Sequence, residues 1–411
     1  MTRPGGRGTE TRADWLLVIA STVALIASVS HVYSVGVFIG PLEAEFGWQR
    51  GQISAGLGVI SVISVVLAPF VGLAIDRFGS RRVGLPGLII YLAGVALLST
   101  ASPSIWHWWS LWALIAIGTV LIKPTVWVTA IAGRFEARRG IALAVALCGT
   151  SIGAAILPFL TEKLLILGWR SAYLALAGGA ALLALPMVYA FFRAERPAPR
   201  VPGAAGAAAA PRRPGVSARE GLTSAVFYKM AIAAFLATLC TLSLAVHFVP
   251  ILIAGGISSG TAASTAGVVG VGSLIGRLGT GLLLDRFSGR RVGALILLLP
   301  ILACVLLVSL DLNLVTAIAI GVVIGLSLGA EIDIFAFLSA RYFGLANYGL
   351  LFGTVAGLIS FGAGVGPTYA GFMFDHFRSY GVMLMTLVPM LLVSSLLVFS
   401  LGEEPEFRPQ G

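Results

Sequence analysis

The sequence predicts an all-α membrane protein: twelve transmembrane helices arranged as two related six-helix halves. Three observations predict it. Of 411 residues, 58% are hydrophobic and only 11% charged, against roughly 25% charged in an ordinary soluble domain. That little polar surface cannot cover a globule in water. Apolar runs able to cross the bilayer, roughly 20 residues each, recur twelve times, and one charged loop pattern recurs in each half. The 51 glycines suit close helix packing in lipid.

Breaking the chain at charges, prolines and glycine clusters gives the elements in order. Helices 1 to 6 fall at 15–40, 52–75, 83–101, 106–132, 140–165 and 171–192. Helices 7 to 12 fall at 227–254, 261–284, 292–310, 314–341, 349–374 and 380–401. The first apolar run, from Trp15 to about Phe38, is too long for a signal-peptide core and lacks a cleavage site, so it is expected to remain as helix 1. Residues 194–226 are rich in Pro, Ala, Gly and Arg, with a low-complexity run from Pro202 to Pro214. Such a segment cannot bury a core and is expected to be a flexible linker. The expected organisation is a tail at 1–14, a bundle at 15–193, the linker at 194–226, a second bundle at 227–401 and a tail at 402–411.

The net charge of +10 comes in short basic clusters between apolar runs. It forms no basic face on a soluble fold, which argues against nucleic acid. With the N-terminus inside, 21 Lys and Arg fall on inner segments and four, Arg50, Lys163, Arg170 and Arg378, on outer loops. Positive residues favour the cytoplasmic side, so both termini and the linker are expected there, in a multi-pass cell membrane protein of a bacterial inner membrane. Trp106, Trp108, Trp109 and Trp112 then lie at the outer end of helices 3 and 4, where an aromatic belt belongs. Cys148, Cys240 and Cys304 are scattered through apolar runs without ligand spacing, which argues against disulfides and a metal site. There is no nucleophile elbow and no phosphate-cradling loop. Neither an enzyme nor an ATP-driven pump is expected, and no cofactor.

The repeated loop reads Gly72-Leu-Ala-Ile-Asp76-Arg77-Phe-Gly79-Ser-Arg81-Arg82 after helix 2. After helix 8 it reads Gly281-Leu-Leu-Leu-Asp285-Arg286-Phe-Ser-Gly-Arg290-Arg291. The copies lie 209 residues apart, and a six-plus-six duplication is a transporter architecture. The pattern resembles the signature loop of the major facilitator superfamily, and the resemblance covers the whole chain. It implies the major facilitator fold, alternating access, and a gating role for Gly72, Asp76, Arg77, Gly79, Arg81, Gly281, Asp285 and Arg286. The second copy departs by exchanging Gly and Ser. Further stretches resemble the monocarboxylate porters and bacterial oxalate/formate antiporters: Gly36-Val-Phe-Ile-Gly-Pro-Leu, Phe46-Gly47-Trp48, Arg138-Arg139-Gly140-Ile-Ala, Gly168-Trp169-Arg170 and Gly276-Arg277.

Ionisable residues inside the bilayer cost about 2.5–3.5 kcal/mol or more and so ask for a function. Arg277 lies eight residues before Asp285, about 12 Å in. The resemblance implies that it pairs with the substrate carboxylate, which its planar fork suits. The acidic or amide residue that the family often carries one turn earlier is Ser273 here. A fixed ion pair with an acid on another helix is the competing reading for Arg277. Lys123 and Glu331, about 16 and 15 Å deep, occupy matching places in helices 4 and 10 and could meet across a central cavity, or each be satisfied in its own bundle. Asp333, two residues on, lies on another helical face. It is a candidate for proton coupling with Glu331, or a structural partner within the second half. His31 and His247 each precede a glycine by nine residues (Gly40, Gly256). Either could donate to an anion or carry a proton, or be satisfied by a backbone carbonyl. Tyr33 beside His31 joins the candidate substrate contacts.

The function this implies is secondary transport of a small organic anion, a monocarboxylate first among the expectations, coupled to a proton or exchanged for another anion. The partners are then that anion, with or without a proton, and membrane lipid; a monomer suffices. The alternatives are an exporter of drugs or metabolites and, in a different class, a non-transporting membrane sensor.

Overall fold

The computed structural model describes residues 11–135, 138–192, 215–344 and 346–405. Among these, twelve helices are long and apolar enough to cross a membrane. They are α1 (Arg12–Phe46), α2 (Arg50–Phe78), α3 (Ser80–Leu97), α4 (Ile105–Ala132), α5 (Arg139–Leu164) and α6 (Trp169–Phe191). The second set is α7 (Ala225–Ala254), α8 (Ser259–Leu284), α9 (Gly289–Ser309), α10 (Leu314–Phe343), α11 (Tyr348–Phe377) and α12 (Tyr380–Phe399). Helices are the form in which a lipid-embedded chain satisfies its own backbone. Large apolar side chains such as Leu182 and Val315 accordingly face outward.

Two helices expected to be continuous are broken near mid-span. In α4 the first piece ends at Leu121 and the second begins at Pro124. Lys123 precedes a proline and is pushed to an extended conformation, with ψ 154°, because the ring clashes with a helical neighbour before it. The freed Ile122 carbonyl is taken up by the Trp127 indole N–H at 2.9 Å. In α1 the helix runs Arg12–Ser28, Ser30–Tyr33 and Val35–Phe46. No proline causes this break. The Tyr91 hydroxyl of α3 meets the Ser30 hydroxyl at 2.8 Å and the His31 backbone N–H at 3.2 Å, satisfying groups the interrupted helix leaves open.

Within the first half α1 packs on α5 and α6, α2 on α4, and α3 on α4 and α6. The second half repeats this with α7 on α11 and α12, α8 on α10, and α9 on α10 and α12. Two six-helix bundles are thus related by pseudosymmetry, joined chiefly through α2 against α11 and α5 against α8.

One end of the molecule, the terminal face, carries residues 12, 78, 225, 343 and 399. The opposite, distal face carries the turns after 46, 97, 164, 254, 309 and 377. The halves touch at the distal end. Gly51 and Gly371 bring α2 and α11 into backbone contact, where a Cβ on Gly371 would strike the Gly51 backbone at 2.6 Å. Toward the terminal face the helices part: a Cβ at position 72, 349, 353 or 357 would meet nothing within 4 Å. The form described is closed distally and open terminally.

The last part of the expected linker is not free coil. Residues 193–214 lie outside the described residues, but Gly215 bridges Gly344 and Asn347 donates to the Val216 carbonyl at 2.8 Å. A short helix, Ala218–Thr223, follows, with Ser217 as its N-cap. The start of the C-terminal tail is also docked: Glu404 accepts from Arg341 at 2.6 Å and from the Gly289 N–H at 3.2 Å. Residues 1–10 and 406–411 lie outside the described residues.

Candidate functional site

Arg277 sits where α8 and α10 are in backbone contact. A Cβ on Gly276 would collide with the Leu326 carbonyl, and one on Gly329 with the Ser273 carbonyl. This approach sets Arg277 Nη1 3.6 Å from Asp333 Oδ1, with side chains 19% and 32% exposed. Arg277 Nε is buried and has no hydrogen-bond partner. The contact is long and single, so the guanidinium fork keeps most of its capacity unspent. Ser273, one turn before it, bonds Ser151 of α5 at 3.0 Å across the halves.

Asp333 and Glu331 turn to different neighbours. Glu331 is 4% exposed. Its Oε1 meets the Thr238 hydroxyl in a very short contact, and its Oε2 meets the Thr241 hydroxyl at 2.7 Å. Both threonines are on α7. No cation pairs with Glu331 among the described residues. Lys123, half-buried at the α4 break, has the Ser360 hydroxyl of α11 at 3.4 Å and no carboxylate beside it among the described residues. Lys123 and Glu331 are therefore not a pair in this form. Matching positions in the repeat put them in different bundles, each with its own hydroxyl partners.

Tyr33, at the α1 break, lies within electrostatic reach of both Arg277 and Glu331. The structure thus gathers Arg277, Asp333, Glu331 and Tyr33, with Lys123 reaching α11 from the first half. It does not bring His31 to them. The His31 ring turns into the first bundle, where Nδ1 meets the Tyr91 hydroxyl at 3.0 Å and the ring edge faces Trp112. Nor does it bring His247, which is fully buried at the distal closure.

Apart from His247, that closure is built from residues to which the sequence assigned no site role. His247 Nδ1 meets the Tyr380 hydroxyl at 2.9 Å, and Nε2 lies 2.9 Å from the Pro367 carbonyl and 3.2 Å from the Ser54 hydroxyl. Arg50 donates to Tyr380 at 3.0 Å and to Glu43 at 2.9 Å, with its guanidinium 3.7 Å over the Phe374 ring. The Asp375 carboxylate of α11 accepts from the first two N–H groups of α2, Arg50 at 3.0 Å and Gly51 at 2.7 Å. A carboxylate at a helix N-terminus is well placed both for those open donors and for the helix dipole. The only sequence signal was that Arg50 and Asp375 are isolated charges at helix ends.

At the terminal face the two signature loops differ in shape. Gly79 adopts φ 82° and lets α2 run through Arg77 and Phe78 before turning. Ser288 stands at that place in the second copy with φ −58°, and α8 has already stopped at Leu284. Arg81 donates to the Tyr189 carbonyl at 2.8 Å. The Asp76 side chain lies outside the described residues. A recess of about 390 Å³ beside the second loop is lined by Asp285, Arg286, Arg290, Arg341, Glu403 and Glu404. It belongs to the face, not to the interior around Arg277.

Comparison with known proteins adds the lineage. The sequence model of the Major Facilitator Superfamily matches residues 17–343. The MFS transporter asaE of Aspergillus flavus is 24% identical over 390 residues, 90% of this chain and 84% of the fungal protein. Monocarboxylate transporter 6 of mouse is 26% identical over 168 residues, 41% of this chain and 36% of the mouse protein. A solved structure of a bacterial homolog of the human lysosomal transporter Spinster, inward-facing and unoccupied, superposes with a TM-score of 0.67. It covers 97% of this chain and 95% of that one at 15% identity, a likeness that speaks for the fold alone. With its duplicated six-helix bundles and that family match over most of its length, the chain belongs to the Major Facilitator Superfamily.

Proposed function

We propose that this transporter carries a small organic anion, a monocarboxylate in the first instance, coupled to a proton, and that Arg277 is the group that grips its carboxylate. The observation that carries the reading is the state of Arg277. It is a half-buried guanidinium with a partnerless Nε and one loose contact to Asp333. An incoming carboxylate takes two parallel bonds from the fork and displaces Asp333. Lys123, a second cation without an acid beside it, adds to a positive interior, and Tyr33 supplies a hydroxyl. The partial likeness to monocarboxylate transporter 6 supports the same substrate class.

The sequence count, 21 Lys and Arg on the expected inner segments against four on the expected outer loops, supports a cytoplasmic terminal face. The form described then opens to the cytoplasm. The signature loops, Asp76 and Arg77 foremost, are proposed to latch the opposite form, and a single chain carries the full set of groups. The test is Arg277→Lys in proteoliposomes, assayed with radiolabelled monocarboxylates under an imposed pH gradient. Uptake falls at least tenfold while the protein stays folded, because a point charge does not replace a bidentate fork. Normal uptake by that variant removes Arg277 from the site.

A further inference from the structure

We infer that Glu331, Thr238 and Thr241 form a closed proton-storage site in which Glu331 is a neutral carboxylic acid before any substrate arrives. The inference deepens the proton-coupled reading and rests on it for its purpose, though not for its geometry.

The argument is a count of protons. The Thr238 hydroxyl lies 2.9 Å from the Ala234 carbonyl and closer still to Glu331 Oε1. The Thr241 hydroxyl lies 2.5 Å from the Ala237 carbonyl and 2.7 Å from Glu331 Oε2. Each hydroxyl has one proton to give and can accept on its lone pairs. In a helix, threonine commonly gives that proton to the carbonyl one turn back. If both did so here, each Glu331 oxygen would face an oxygen lone pair. If both gave it to Glu331 instead, a lone carboxylate would be buried with two neutral donors and no cation, a charge taken from water without compensation.

One extra proton resolves both arrangements. Thr241, tight against Ala237, gives its proton to that carbonyl and accepts the Glu331 O–H. Thr238 donates to the remaining Glu331 oxygen. All the groups are then satisfied and the buried charge is zero.

The neighbours do not supply a cation. Among the described residues, Cys240 on α7 and Tyr33 on α1 are the titratable groups in electrostatic reach of the carboxyl, and Cys304 on α9 is in reach of Cys240. Arg277 on α8 is turned to Asp333. Among the described residues, α11 places no charged group in electrostatic reach. An alkali ion has no room, because carboxyl and hydroxyl oxygens already touch at hydrogen-bond distance. The site is complete within α7 and α10 of one half, so the carboxyl holds its proton whether or not an anion is at Arg277.

The test is infrared difference spectroscopy of the purified full-length protein in lipid, without substrate, at neutral pH. The expected result is a protonated-carboxyl C=O band that shifts when glutamate alone carries ¹³C in its side-chain carboxyl. The band is absent in Glu331→Gln and moved in Thr241→Val. A band unaffected by glutamate labelling, or unchanged in Glu331→Gln, overturns the proposal. If Glu331→Gln does not fold, an unmoved band in Thr241→Val overturns it as well. Loss of the band on exchanging potassium for sodium would assign an alkali ion and overturn it too. No anion enters the measurement, so failure of the carboxylate reading, seen as absent uptake, is distinguishable from failure here.

Discussion

Replacing Asp375 by asparagine removes the charge that holds the distal closure without changing its shape. In the structure the Asp375 carboxylate takes both opening N–H groups of α2, at 3.0 and 2.7 Å. Each is a charge-assisted bond worth about 1.5–3 kcal/mol, with about 0.3–1 kcal/mol more from the helix dipole. Asparagine keeps one acceptor and points an amide N–H₂ at the second donor. The loss is about 2–3 kcal/mol, borne by the distally closed form alone, because only there do α2 and α11 meet at this point.

Since each 1.4 kcal/mol is a factor of ten, the ratio of distally closed to distally open protein falls about 30- to 150-fold. A closed form that dominates by a hundredfold would thus drop to near parity. The assay is spin-label distance measurement between Ser104→Cys and Ser259→Cys, both exposed on the distal face of opposite halves. The background has Cys148, Cys240 and Cys304 replaced by alanine. A longer-distance population should appear in Asp375→Asn and be absent or minor in the parent. Identical distance distributions in the two would refute the reasoning, and with it the role of Asp375 as the latch.

Two further outcomes follow from the same geometry. Glu331→Gln, a permanently neutral mimic, should abolish accumulation driven by a pH gradient while anion counterflow persists; full proton-driven accumulation would pass the coupling role to Asp333. Gly276→Val should cost about 1–3 kcal/mol by overpacking α8 against the Leu326 carbonyl, read as a lowered melting temperature, and an unchanged melt would mean that α8 and α10 are not in backbone contact.

The twelve spans were legible because hydropathy over twenty residues is a strong signal, and structure and expectation differ there mainly at helix ends. The breaks were less so. Pro124 announces the α4 break, yet apolar character continues straight through it, so hydropathy alone reads one helix. The α1 break carries neither proline nor glycine at its centre and depends on Tyr91, a residue 60 positions away from His31. Depth along a helix could be counted from the sequence, and that count marked Arg277, Lys123 and Glu331 as interior. Direction could not be counted. That Arg277 faces Asp333 and Glu331 faces α7 follows from how close α8, α7 and α10 approach, which glycines alone do not specify. The distal latch joins residues 325 positions apart, and its members read in sequence only as loop charges.

Lys123 and Glu331 are where sequence symmetry suggests most and the structure narrows it. Opposite charges at equivalent depths in the two halves invite a pair that forms when the halves close. Yet Glu331 is 4% exposed and tied to two hydroxyls of α7, its own bundle, while Lys123 reaches only Ser360 of α11. Rocking one half against the other moves Lys123 relative to α10. It does not turn Glu331 out of the α7–α10 contact, because both helices travel with the second half. The double swap Lys123→Glu with Glu331→Lys therefore buries a lysine beside two threonines and strands a carboxylate at Ser360. It should transport no better than the worse single variant, with a coupling energy within about 0.5 kcal/mol of zero, as for independent sites. Radiolabelled anion uptake by the two singles and the double, corrected for membrane protein level, measures this. Recovery in the double variant well beyond both singles would show that the two charges do meet in the transport cycle, and that the α7–α10 contact opens to let them.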